Sequence, residues 1–472
     1  MGHRRLRRFL TAGALTLVLA GCTVPVSSDP FTNAGSQHRT QVEPDTFSYG
    51  STIVSAFQSG RFFDGGASDI GWATSIDGGA HWSHGFLSGI TKYHGRGPYD
   101  RASDPSVAYD ARHGVWLVSS LGLTADVTDV VVSRSLDGRT WSGSPITVAA
   151  PPGANLDKNW TVCDNTASSP YYGNCYTQYD DFAAGDVLHM TTSRDGGVTW
   201  HEATIPTTHG FAGQPVVQPT GTVIVPMDDA GTSRILSSRS TDGGATFSAA
   251  ITVANISAHP VAGALRSGPL PSAEIDGAGK VYVVWQDCRF RTSCATNDIV
   301  LSTSKNGTTW SAVTRVPIDP TTSSADHFIP GLAVDKTTSG SSARLALTYY
   351  FYPNANCSSS TCELDVGFID SVNGGASWSA PTQLAGPMSL SWIAATSQGS
   401  MVGDYISTSF SAGKAIPVFV LASAPSDGAF NEAATAVDGG IAVAGGAASA
   451  ATDRPVATSP ARPPAADVQT AR

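Results

Sequence analysis

Ser193-Arg-Asp195-Gly-Gly197-Val-Thr-Trp200 decides how this chain is read, because the same phrase keeps returning. It recurs as Ser75-Ile-Asp77-Gly-Gly79-Ala-His-Trp82, Ser240-Thr-Asp242-Gly-Gly244-Ala-Thr-Phe247 and Ser371-Val-Asn373-Gly-Gly375-Ala-Ser-Trp378. Two shorter forms are Ser135-Leu-Asp137-Gly-Arg-Thr-Trp141 and Ser304-Lys-Asn306-Gly-Thr-Thr-Trp310. Copies spaced roughly 45 to 70 residues apart mark a repeat architecture, one supersecondary unit per copy. The Asp or Asn side chain can accept hydrogen bonds from backbone N–H groups two residues on. The next Gly takes positive φ without steric cost, and the final aromatic buries a large apolar area. Runs such as Asp129-Val-Val-Val-Ser133 and Asp298-Ile-Val-Leu-Ser302 lead into the phrase, so each copy is the turn of a hairpin. Carboxylates in such turns are read as structural.

Between residues 42 and 424 each unit opens on an extended run, often Pro-x-x-x-x-Asp, as in Pro105–Asp110, Pro271–Asp276 and Pro330–Asp335. A second strand follows across a turn (Gly114-Val-Trp-Leu-Val-Ser119, Lys280-Val-Tyr-Val-Val-Trp285), a third enters the repeated phrase and a fourth leaves it. Four antiparallel strands per repeat with few helical signals predict an all-β fold, a β-propeller. The phrase resembles the Asp box, the BNR repeat of the sialidase-like propellers. Six units carry boxes. The pair 402–408 and 416–421 would begin a further blade, completed by residues 434–444 or by the segment before Gln41. Six or seven four-stranded blades are thus expected, with seven preferred.

The ends are different in kind. Residues 1–21 carry Arg4, Arg5, Arg7 and Arg8 ahead of an apolar run, Leu10 to Ala20, too short to span a bilayer and flanked like a signal peptide. Leu19-Ala20-Gly21-Cys22 resembles the bacterial lipobox, which implies a diacylated Cys22 as the new N-terminus and an extracytoplasmic, membrane-anchored lipoprotein. Residues 22–41 read as a tether, 425–444 as strands that could close the ring, and the Ala/Pro-rich 445–472 as a disordered tail. The formal charge is −10; losing the four leader arginines with no acid would make it −14, which argues against nucleic acid as partner. Six further cysteines fall in short-range pairs, Cys163 with Cys175, Cys288 with Cys294, and Cys357 with Cys362. Disulfides suit an exported chain, whereas none of the spacings is the CxxC of a zinc site.

The sialidase-like resemblance extends to three short patches. That family uses a Tyr nucleophile assisted by a Glu, an Asp acid/base and three arginines on the substrate carboxylate, an exception to the two-carboxylate rule of glycoside hydrolysis. Pro271-Ser-Ala-Glu274 through Asp287-Cys-Arg289 resembles the stretch with the Glu on an inner strand and an Arg ending the next. If the hairpin brings both to one mouth, Glu274 and Arg289 meet there. Gly403-Asp404-Tyr405 resembles the nucleophile segment. Gly60-Arg61-Phe-Phe-Asp64 resembles the acid segment, with Asp64 a better fit than Asp69. Val42-Glu43-Pro44 stands where the family has Arg-Ile-Pro, and Tyr349-Tyr-Phe-Tyr-Pro353 where a third arginine belongs. Without bidentate arginines a sialic acid substrate loses its grip.

Strand starts also bring Asp104, Asp157 with Lys158, Gln214, His327 and the ring of Trp160 toward one opening. Carboxylates beside aromatic rings suit a carbohydrate partner; the same oxygens could hold calcium, although no cofactor is required. His81 and His84 are read as surface residues. Two functions follow. One is a lipid-anchored glycoside hydrolase, with Tyr405, Glu274, Asp64 and Asp104 as catalytic groups and Arg289, Arg61, Asp157, Trp160 and Asp404 binding substrate. The alternative is a non-catalytic propeller that binds glycan, envelope polymer or protein.

Overall fold

A computed structural model describes residues 22–456. The leader 1–21 and the last part of the expected tail, 457–472, lie outside the described residues. The strands form antiparallel groups in chain order, beginning with Ser36–Tyr49, Thr52–Phe62, Ala67–Ser75 and Ser83–Phe86. The innermost strands of the next five are Arg101–Asp110, Leu156–Cys163, the broken pair Gly210–Phe211 and Val216–Val217, Ser272–Ile275, and Asp326–Val334. The last group starts with Ser407–Ser411, continues through Lys414–Ser426 and Ala429–Val437, and takes its outer strand from the other end of the chain, Thr23–Pro25. The architecture is the expected all-β propeller.

Inner strands are tied to their neighbours by a recurrent device. A polar side chain on one accepts a hydrogen bond from a backbone N–H on the next: Asp45 from Val107 (2.7 Å), Ser106 from Thr161 (3.1 Å), Gln214 from Ala273 (2.9 Å) and Ser272 from Leu332 (3.1 Å). At the return to the start, Thr46 and Ser409 share a 2.8 Å hydroxyl bond. Apolar cores fill the spaces between consecutive groups. Val54 and Ile70 meet Val107 and Val118, Tyr282 and Leu301 meet Leu345, Leu347 and Trp378, and Val26 and Phe57 meet Val418 and Ala434. No group buries both faces alone, which is why the repeats hold together only as a set.

Each box is fixed as its residue types dictate, with one refinement. In the long form the acceptor reaches three and four residues on: Asp195 takes the amides of Val198 (3.1 Å) and Thr199 (2.9 Å). Ser193 accepts from the Gly197 amide (2.9 Å), and the Trp200 indole donates to the Gly197 carbonyl (3.2 Å). The short boxes contract this turn, so Asp137 takes the amides two and three residues on, Arg139 and Thr140. They also lack the second Gly, and the indoles of Trp141 and Trp310 have no partner. Burial opposes ionisation of Asp137, but these amides win and hold it at about 2. The box acids are structural, and His81 and His84 are exposed.

All three expected disulfides are present: Cys163 with Cys175, Cys288 with Cys294, and Cys357 with Cys362. The first ties paired positions of two neighbouring strands, Leu156–Cys163 and Cys175–Asp181. Cys288 with Cys294 and Cys357 with Cys362 each close a short connection between strands instead. Two other expectations are corrected. Residues 22–41 are not a free tether, since they supply the outer strand Thr23–Pro25, the fully buried Val26 and the start of the first inner strand. Residues 445–456 are not a loose tail either. Ala448 bridges Trp378, Asp453 pairs with Arg315 at 2.7 Å, and the Val456 amide donates to the Arg289 carbonyl. The apolar residues these segments bury are few, Val26 and Ala450, and backbone pairing with an ion pair does the rest.

Candidate functional site

Four inner strands slip register at the same step: between Val42 and Asp45, Ser103 and Ser106, Asp157 and Trp160, and Phe328 and Gly331. At each slip a non-glycine residue takes positive φ: Glu43 (54°), Asp104 (47°), Lys158 (51°) and Ile329 (48°). A bulge bends its strand and re-aims a side chain, and strained φ of this kind gathers at sites where it is over-determined by its surroundings. Pro44, Pro105 and Pro330 follow three of them, where a residue without an N–H costs no ladder bond. Three of these bulges turn Glu43, Asp104 and Lys158 from separate blades toward one point, while Ile329 packs into an apolar core.

That point is a buried charge cluster. Asp404 accepts from Arg266 Nε at 2.7 Å and also from Arg266 Nη2 and Lys158 Nζ. Lys158 Nζ lies 3.5 Å from Asp104. Glu43 accepts from Gln58 Nε2 and from the Asp404 amide, and the Gln58 carbonyl in turn takes Arg61 Nη1 at 2.7 Å. Every one of these ionisable side chains is buried. Burial works against the charge on Asp404, but Arg266 and Lys158 hold its carboxyl far below the ordinary range. Burial, reinforced by Asp104 and Asp404, pushes Glu43 up to about 8. Burial likewise lifts Asp157 to about 7 against the pull of Lys158. Its cross-strand partner Asp180 is also raised well above the usual carboxylate range, by burial and then by Asp157 itself.

Above the cluster lies a narrow open recess lined by Lys158, Trp160, Gln214, Pro271, Asp404 and Tyr405, among others. Trp160 meets Tyr405 edge-on, with centroids 5.2 Å apart and planes at 80°. The Tyr405 hydroxyl donates to the Pro105 carbonyl at 3.0 Å. Both rings are half-buried. The site thus offers an apolar ring pair beside a neutralised set of charged donors and acceptors.

The structure gathers Asp104, Asp157, Trp160, Asp404 and Tyr405 here, with Arg61 behind them. It does not gather the rest. Glu274 is paired in register with Tyr282, next to the turn, while Arg289 lies beyond the far end of the partner strand. Seven residues of strand rise place them about 20 Å apart, so the expected meeting is corrected. The Glu274 carboxylate accepts from the Ile275 amide (3.3 Å) and faces Lys336 (3.7 Å); among the described residues no hydrogen bond joins it to Tyr405. Arg289 closes on Asp287 in its own hairpin at 2.7 Å. Asp64 pairs with Arg101 at 2.6 Å, apart from the cluster. Sequence reading missed Arg266, Glu43, Gln58 and Asp180. Arg266 stands in a long irregular link outside the repeat, so nothing flagged it. Glu43 was in view as the residue replacing an arginine.

His327, expected at the opening, belongs instead to a group with Asp298 and Asp319 whose ligand atoms lie within 4.8 Å of one another. Arg291 bonds both acids (2.5 and 2.6 Å) and Arg315 lies 3.5 Å from Asp298. Burial lowers His327 to about 4, so it is neutral. With two guanidinium groups already balancing two carboxylates, these residues do not fit calcium.

Residues 51–273 match the BNR repeat-like domain family. That stretch is just under half of the chain, and with the six boxes it likens the chain to the BNR-repeat β-propellers. No curated protein matches it in sequence. Among solved structures it is similar to a protein of unknown function from Dyadobacter fermentans DSM 18053 (17% identity, 75% of this chain and 100% of that one, TM-score 0.45). It is also similar to the intramolecular trans-sialidase from Ruminococcus gnavus (12%, 68% and 92%, TM-score 0.46). A third is the Trypanosoma rangeli sialidase (15%, 74% and 57%, TM-score 0.45).

Proposed function

We propose that this protein is an extracytoplasmic, lipid-anchored propeller whose axial opening binds a glycan. One observation carries the reading: the Trp160 and Tyr405 rings flank Asp404, which is already clamped by Arg266 and Lys158. Rings stack on the apolar faces of sugars while fixed polar groups meet hydroxyls. The Tyr405 hydroxyl is occupied by a main-chain carbonyl, and burial together with the neighbouring Glu43 and Asp104 opposes its ionisation, so the displacement chemistry of the sialidase-like enzymes has no assembled nucleophile.

Hydrolysis is the second reading, and one observation favours it. Near neutrality Glu43 at about 8 is mostly protonated and Asp157 at about 7 about half so, close to an ionised Asp404. Carboxyl groups with separated pKa values are what an acid/base pair requires. Both acids are buried, however, and neither lines the pocket.

Purified protein tested on a glycan array and on a panel of aryl glycosides, including a sialoside, separates these. Glycan retention lost in Trp160→Ala, with no glycoside turned over, is the expected result. Turnover that survives Tyr405→Phe but falls in Glu43→Gln would replace binding by hydrolysis. Anchoring is supported by the lipobox-like segment and by the exposed, free thiol of Cys22. Metabolic labelling with palmitate should mark the wild type and spare Cys22→Ala. The three disulfides agree with a location outside the cytoplasm.

A further inference from the structure

A second concavity of about 640 Å³ opens on the same end of the propeller, between the first two blades. Its walls are Phe62 at the end of one strand, Tyr93 from the connection between the blades, Arg101 at the start of an inner strand, and Leu123 and Thr124 at the end of another. The rings of Phe62 and Tyr93 stand 6.3 Å apart with planes at 29°, which makes one continuous apolar wall. The Arg101 guanidinium covers Phe62 at 4.2 Å and the Lys92 ammonium stands 5.3 Å from the centre of the Tyr93 ring, so the ring surface open to a ligand is the part of half-buried Tyr93 that Lys92 leaves free.

The charges of the groove cancel in pairs. Arg101 is bound by Asp64 at 2.6 Å and by the Gly65 carbonyl at 2.8 Å, and Lys92 by Asp100 at 2.7 Å. An anionic ligand would have to displace a carboxylate from either cation. The hydroxyls of an uncharged sugar need only share the open donor and acceptor sites of these pairs. Its apolar face meets the ring.

The groove is also placed to continue the axial site. Arg101 and Asp104 are three residues apart on one inner strand, about 10 Å at the usual strand rise. We propose that this groove is a subsite for a neutral pyranose unit of the same glycan whose end enters the axial opening. The ligand class is then a neutral oligosaccharide of several units. This rests on the glycan-binding reading above.

Calorimetric titration of the full chain tests it, with cellotetraose, chitotetraose and maltotetraose, their monosaccharides, and sialyllactose and tetragalacturonate as acidic comparisons. One neutral tetrasaccharide should bind more tightly than its monosaccharide. Tyr93→Ala should weaken that tetrasaccharide roughly tenfold, the worth of one ring contact, leave the monosaccharide unchanged, and be rescued by Tyr93→Phe. Trp160→Ala should weaken both. Tetrasaccharide affinity untouched by Tyr93→Ala but reduced by Trp160→Ala overturns the groove and leaves the axial site standing. Monosaccharide binding as tight as tetrasaccharide overturns it equally. Preference for an acidic oligosaccharide that depends on Tyr93 overturns the neutral class. No binding to any of these sugars by the wild type overturns the axial reading itself.

Discussion

Replacing Asp404 by Asn should be among the most costly single changes in the molecule. Asp404 is the only carboxylate that Arg266 contacts directly among the described residues, through Nε at 2.7 Å and through Nη2. Lys158 keeps a second partner in Asp104 at 3.5 Å; Arg266 does not. An Asn retains one acceptor oxygen for Arg266 but removes the anion, leaving a buried guanidinium without compensation. Breaking a buried pair in this way costs about 3–5 kcal/mol, and the partner left to Lys158 places the expectation toward 3. Urea unfolding of wild type, Asp404→Asn, Arg266→Met and the double variant measures it. The double variant should recover much of the loss, since removing both charges leaves less to compensate. The sign with pH follows from the depressed carboxyl. Asp404 contributes fully above the unfolded carboxylate value, about 3.9, and its contribution is lost as pH falls toward the lower folded value. The gap between wild type and variant should therefore hold from pH 8 to about 4 and close below. A cost under about 1 kcal/mol, with an unchanged urea dependence, would refute the clamp.

Glu43 should show the opposite slope. Its folded value near 8 stands above the 4.5 of a free side chain, so the unfolded chain ionises first and stability declines as pH rises between these values. Melting curves of Glu43→Gln should be flatter over that window, gaining on wild type by several kcal/mol, on the order of 4, between pH 4 and 8. Asp195→Ala removes two amide bonds and a 2.6 Å hydroxyl bond from Thr199, which should cost about 1–2 kcal/mol by denaturant titration with glycan affinity unchanged. Joint Cys163→Ala and Cys175→Ala should cost about 2–3 kcal/mol, given a 12-residue separation, and reduction of the wild type should reproduce the shift.

The boxes were legible because each is a local object: Ser, Asp, Gly and Trp bond to one another within a few residues, so the spacing carries the structure. Cysteine pairing was legible for the same reason, with separations of 12 residues for Cys163 and Cys175, 6 for Cys288 and Cys294, and 5 for Cys357 and Cys362. The axial cluster was only half legible. Asp104, Asp157, Asp404, Trp160 and Tyr405 could be placed by counting from strand starts. The bulges that turn Glu43 and Lys158 inward are set by packing against other blades, and no residue pattern announces them. Arg266 reaches Asp404 across 138 residues of sequence. Glu274 and Arg289 failed for a simpler reason. In an antiparallel hairpin a residue beside the turn and one past the open end are as far apart as the hairpin allows, however close they stand in a motif.

Thr23–Pro25 pairs with residues 435–437, so the opening words of the chain are completed by nearly its last. Closing a loop of that span carries a large entropic cost before any bond rewards it, and contacts so remote in sequence slow the search for the native state. If the chain is exported, the leading strand would have no place to dock until almost the whole polypeptide had crossed, and its unpaired edge would be open to strangers meanwhile. If Cys22 carries lipid, the molecule is moored by the same strand that locks it, and pulling on the anchor would load the joint between first and last.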